Sequence, residues 1–188
     1  MRFVTVGGAF LDLGDYAMGL FDWLTGTKPA PGGVVRQPSA TLRQQLLAIN
    51  RDTAPFIIRD GAPEGVDLVA EWKIVDARWY EIFAKASLER VFKVLMKFDD
   101  ARGEVRSIDQ EWTVEWRAGV PSLALSAEAF KGQKMEMSFG TAFAFKEEDL
   151  SFGKVYQYRF KTSEVKDPLI AAAQAAGWGW KGVAFGKL

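Results

Sequence analysis

The stretch Lys134-Met135-Glu136-Met137-Ser138-Phe139-Gly140-Thr141-Ala142-Phe143-Ala144-Phe145 constrains this chain more than any other. Its odd positions hold Met, Met, Phe, Thr, Phe and Phe, and its even positions hold Lys, Glu, Ser, Gly, Ala and Ala. Successive side chains of a strand point to opposite faces. The pattern therefore predicts one long strand with an apolar side and a small or polar side. Burying its Met and Phe side chains is worth on the order of 10 kcal/mol before chain entropy is counted. The other segments then read as pieces that cover this face.

The 188 residues suffice for one domain with a sizeable core and are short for two. Lys plus Arg equals Asp plus Glu at 24 each, so net charge favours neither nucleic acid nor an anionic membrane. Cysteine is missing, which removes disulfides, thiolate nucleophiles and zinc–thiolate sites. Histidine is missing as well, which removes the commonest general base and metal ligand. Catalysis, if present, rests on carboxylates, Lys, Tyr, Arg or a hydroxyl. No apolar run is long enough for a spanning helix.

Residues 1–37 read as a tail and linker, and residues 38–188 as a single domain. Asp12 and Asp15 interrupt the early apolar run too soon for a signal peptide, and Met18 looks like a second beginning. Leu20, Phe21, Trp23 and Leu24 form an apolar cluster ahead of Thr25–Pro38, whose Gly and Pro content is that of a linker. A tail that docks on its own domain is the simpler reading, and a peripheral membrane or partner contact is the other. Few contacts are expected to cross such a linker.

Thr41 and Gln44 have capping-box spacing, with Leu42, Leu46 and Ile49 on one helical face and Asn50 as terminator. Pro55–Arg59 and Leu68–Ile74 read as strands around a breaker-rich turn at Gly61–Gly65. Trp79, Ile82, Phe83 and Ala86 predict a helix over 77–86. Val91–Phe98 and Glu104–Arg117 pair through a turn with Gly103 in the left-handed position. Ile108, Trp112, Val114 and Trp116 share a face there, and Val105 is out of phase, which predicts a bulge between Ser107 and Asp109. Pro121 closes that strand.

The next strand begins at Leu123, in a register that sets Leu123 opposite Thr141, Leu125 opposite Phe139, Ala127 opposite Met137 and Ala129 opposite Met135. Lys146–Gly153 is an acidic loop, and Tyr156, Tyr158 and Phe160 alternate in a further strand. Asp167-Pro168 reads as a helix start, followed by an Ala-rich helix that should be buried and that ends at Gly177. Trp178–Phe185 reads as strand-like.

The expected fold is α+β: a mostly antiparallel, strongly curved sheet or open barrel of eight or nine strands. About three helices accompany it, with the Ala-rich C-terminal helix inside. A barrel curled around a helix, of the tubby-like or scramblase-like kind, is an alternative by analogy that no motif supports. The segments Val69-Ala70-Glu71-Trp72, Asp109–Arg117 and Gly179–Leu188 sit within a stretch, residues 18–188, that resembles uncharacterised bacterial proteins. That resemblance implies a bacterial, cytoplasmic origin and no particular activity.

Glu111, Glu115 and Arg117 share the expected polar face of the strand that buries Trp112 and Trp116. Two carboxylates beside an Arg suit acid–base chemistry if a pocket covers them, and otherwise form a solvated strand face. Tyr156 is the third catalytic candidate. Trp178, Trp180, Tyr158 and Arg117 are the ligand-binding candidates, since aromatics can line a groove, although Trp in a small β-rich domain usually packs. One of Trp178 and Trp180 is expected in the core. Glu147–Asp149 and Asp99–Asp100 suit turns better than a divalent cation, and Lys131, Lys134, Arg159 and Lys161 are too scattered for phosphate. Neither a metal nor a cofactor is expected, since the Gly pairs lack the strand–loop–helix setting of a phosphate loop. The function that fits best is a non-catalytic cytoplasmic binding or scaffold module using surface aromatics, with an unknown protein or a small apolar or aromatic ligand as partner. The alternative is a hydrolase-like enzyme resting on carboxylates and Tyr.

Overall fold

The computed structural model describes residues 26–85, 88–125, 131–132, 143–145, 156–158, 162–183 and 188. They form helix α1 (Ser39–Leu47), strands β1 (Phe56–Asp60) and β2 (Leu68–Trp72), helix α2 (Tyr80–Lys85), and strands β3 (Arg90–Asp99) and β4 (Glu104–Arg117). Strands β5 (Val120–Leu125), β6 (Lys131–Gly132), β7 (Phe143–Phe145) and β8 (Tyr156–Tyr158) come next, then helix α3 (Thr162–Ala175) and strand β9 (Gly179–Gly182). The fold is α+β. Among the described residues one open sheet runs β1-β2-β3-β4-β5, with β6 and β9 also on β4, and β7 pairs β8 in a separate ribbon. All pairings are antiparallel except β4 with β9.

The strand that the sheet is built on is β4. Most of the stretch 134–145, and the expected register of Leu123–Ala129 upon it, lies outside the described residues. Its last three residues are β7, with Phe143 opposite Tyr158 and Phe145 opposite Tyr156. The described partner of β5 is β4, with Leu123 opposite Val114.

No bulge interrupts β4. Its pairing with β3 is continuous from Asp99↔Glu104 to Arg90↔Thr113. Val105 is out of phase with Ile108, Trp112 and Val114 because it lies on the other face, beside Phe98. That face is the main core, where Phe56, Ile58, Leu68, Ala70, Trp72, Phe92, Val94, Met96 and Val105 are buried. Apolar residues on both sides of one strand imitate a phase slip in the sequence.

Pro121 lies inside β5, opposite Trp116, rather than ending a strand. Ala118 (φ 50°) and Gly119 (φ 79°) make a two-residue hairpin with both central residues left-handed. Arg117↔Val120 is then the hydrogen-bonded pair, and Trp116↔Pro121 the following pair that needs no N–H from proline.

Helix α1 begins at Ser39, two residues before the expected capping box. Pro38 stands at the N-cap without a side-chain bond, and its carbonyl accepts from the amides of Thr41 (3.0 Å) and Leu42 (3.1 Å). Leu42 and Leu46 are fully buried, as their spacing predicts. Asn50 does more than end the helix. Its side-chain amide accepts from Ile58 N–H and donates to Ile58 C=O, both at 2.7 Å, and so occupies the outer edge of β1. Trp79, Ile82 and Phe83 bury the α2 region.

Helix α3 starts at Thr162, with Pro168 in its interior. A helical proline costs about 3 kcal/mol, which the buried face of Val165, Leu169 and Ala173 offsets. The helix is not buried all round: Ala171 and Ala175 face solvent, where a methyl group costs little. Gly177 (φ 74°) ends it, with Trp178 N–H donating to Ala173 C=O and Gly177 N–H to Gln174 C=O, each at 2.9 Å.

The described part of the expected linker, residues 26–38, is a strap bonded to the C-terminal unit. Lys28 N–H donates to Trp180 C=O (2.8 Å) and Trp180 N–H to Lys28 C=O (2.7 Å). Gln37 N–H donates to Ala176 C=O, and Gln37 C=O accepts from Trp178 Nε1. The Arg36 guanidinium lies 5.5 Å from the Trp178 ring centre. A Cβ on Gly177 would sit 2.9 Å from Arg36 Cα, so glycine is needed for the strap's approach as well as for the turn. Gly and Pro here serve close packing, not freedom. A chain beginning at Ser39 should therefore lose about 3 kcal/mol or more, since each buried bond contributes about 0.5–1.5 kcal/mol. Urea midpoints of the two chains check this, and equal midpoints would return the strap to a linker.

Candidate functional site

Alternation along β4 puts Ser107, Asp109 and Glu111 in the same row as Val105, on the core face of the sheet. Their register partners on β3 are Met96, Val94 and Phe92, all buried. Ser107 and Asp109 are fully buried and Glu111 is 5% exposed. Polar groups in such a place need partners, because an isolated carboxylate in an apolar interior is very costly.

Helix α3 supplies the main one. Lys166 shares the buried side of α3 with Thr162 and Leu169, positions one turn away on either side. Its Nζ donates to Asp109 Oδ2 at 3.0 Å, within a pair whose side chains are 10% and 0% exposed. Arg90, opposite Thr113 at the start of β3, reaches Glu111 Oε1 with NH1 at 3.4 Å. That guanidinium is largely exposed and the contact is long, so it is the weaker of the two. The result is a buried stripe of a hydroxyl, two carboxylates and a lysine between sheet and helix. Chemically it can hold and pass protons, or lock α3 in one place.

The sequence candidates fall in different places. Glu111 belongs to the stripe, on the core face rather than on the polar face expected of it, because it shares the row of Val105, Ser107 and Asp109. Glu115 lies about 13 Å further along the same strand, exposed and 3.4 Å from Arg117 NH2, so Glu111 and Glu115 do not converge. Tyr156 and Tyr158 are in β8, paired with β7. Trp178 and Trp180 are both in the core, at 0% and 1% exposure, where one was expected. Trp178 packs near Phe98, with ring centres 6.1 Å apart. Neither indole offers a surface to a ligand. Gly179 pairs with Glu104 and Trp180 with Val105, so β9 carries Trp180 onto the core face.

Asp109, Ser107 and Lys166 were not singled out from the sequence. Reading β4 without a bulge would have placed Ser107 and Asp109 with Val105. Lys166 shows only as a cation at helical spacing from Thr162 and Leu169. Asp99 is engaged in its own hairpin, accepting from Arg102 N–H (3.0 Å) and NH1 (2.7 Å). Among the described residues no group of three or more acidic side chains is placed to hold a metal. Glu147–Asp149 and Lys134 lie outside them.

The opposite face of the sheet carries a second charged set. Glu71 accepts from Arg59 Nε at 2.7 Å and pairs with Lys93 Nζ at 2.7 Å, and Lys93 lies 4.5 Å from the centre of the Trp112 ring. Burial alone would push the Glu71 carboxyl up, but the bonds from Arg59 and Lys93 outweigh it and hold it below its ordinary value. The Arg59 guanidinium, bonded to both Glu64 and Glu71, is held above its ordinary value.

Compared with protein-family models, curated proteins and solved structures, the chain matches none.

Two outcomes follow for the charged groups. Lys166→Met should cost about 3–5 kcal/mol by leaving Asp109 buried without its ammonium, and adding Asp109→Leu should recover most of that. Urea midpoints of the single and double variants measure it; strictly additive losses would mean that the pair is not a unit. Glu71 is depressed in the folded state, so its contribution is complete above the unfolded value and fades as pH falls through the folded one. The stability gap between the parent and Glu71→Gln should be constant from about pH 6 upward and shrink toward pH 3. Melting curves across that range test the sign.

Proposed function

We propose that this chain is a non-catalytic binding or scaffold module of the bacterial cytoplasm. The observation that carries the reading is the use made of the reactive groups. Lys166 and Asp109 join α3 to β4 inside the protein, away from any surface where a substrate would arrive. With Trp178 and Trp180 packed inside, the partner surface is not the aromatic one expected near the C-terminus. Among the described residues no helix is long and apolar enough to cross a membrane. The apolar cluster Leu20, Phe21, Trp23 and Leu24 enters this reading as a peripheral contact, with a strongly curved sheet of eight or nine strands as its fold.

A second reading has one observation in its favour. Asp109 and Glu111 lie two residues apart on one face with Lys166 beside them, an arrangement that acid–base chemistry uses. Native mass spectrometry of the full chain, purified under mild conditions, separates the two. A retained small molecule or partner of unchanged mass, equally present in Glu111→Gln, is expected for a binding module. A molecule converted by the parent and left intact by Glu111→Gln would establish the enzyme.

A further inference from the structure

We draw no further inference here: the strongest candidate, the cluster of buried polar side chains Ser107, Asp109, Glu111, Thr162 and Lys166 between β4 and α3, belongs to the site already described.

Discussion

Strand β4 has to satisfy two edges along its whole length, and most of the protein is arranged by how it does so. One edge is taken by β3 from Glu104 to Thr113. The other is shared in turn by β9 at Glu104–Ser107, β6 at Asp109–Gln110 and β5 at Trp112–Arg117. Fourteen residues of extended chain reach about 45 Å, too far for any one of these short neighbours. Backbone amides left bare along such an edge would cost as much as lost hydrogen bonds, so several separate segments must converge on it. The C-terminal turn after α3, with β9 and the strap outside it, is one of these segments. Its place follows from the requirement for a partner at Glu104–Ser107.

The same strand explains why polar groups lie inside. Once β4 is straight and both edges are paired, its odd residues from Val105 to Glu111 must face the core. Only the first of them is apolar. Lys166 answers the resulting negative charge from the facing helix, which ties the rotation of α3 to the sheet. Val165, Leu169 and Ala173 already favour one face of α3, and the buried charge adds to that preference. A turned helix would leave Asp109 without its ammonium, and the cost of that buried charge reinforces the same arrangement.

Local structure was the legible part. Leu42 and Leu46, the β1–β2 turn, the left-handed Gly103 and the stop at Gly177 all follow from spacing and backbone preference over a few residues. The errors share one physical origin. Val105 seemed misphased because a strand covered on both faces has no polar side to mark its phase. Pro121 seemed a terminator because its harmless position depends on the pairing parity of a hairpin two residues long. Residues 26–38 seemed a linker because the composition of a flexible segment is also that of a backbone held close to other backbone. Of the candidate site, Glu111 was legible as a carboxylate on a strand, whereas its burial and its neighbours were not.

The sequence by itself determined the α+β class, the absence of histidine and cysteine chemistry, and the identity of the helices and most strands, because these depend on residue type and short-range periodicity. Only the tertiary structure decided which face of β4 is inside, that Asp109 meets a lysine 57 residues away, and that Lys97, Arg106 and Lys181 stand in one row. Each of these is a matter of register between distant segments. Register is set by the summed burial and hydrogen bonding of whole elements, and no single stretch of chain carries that sum.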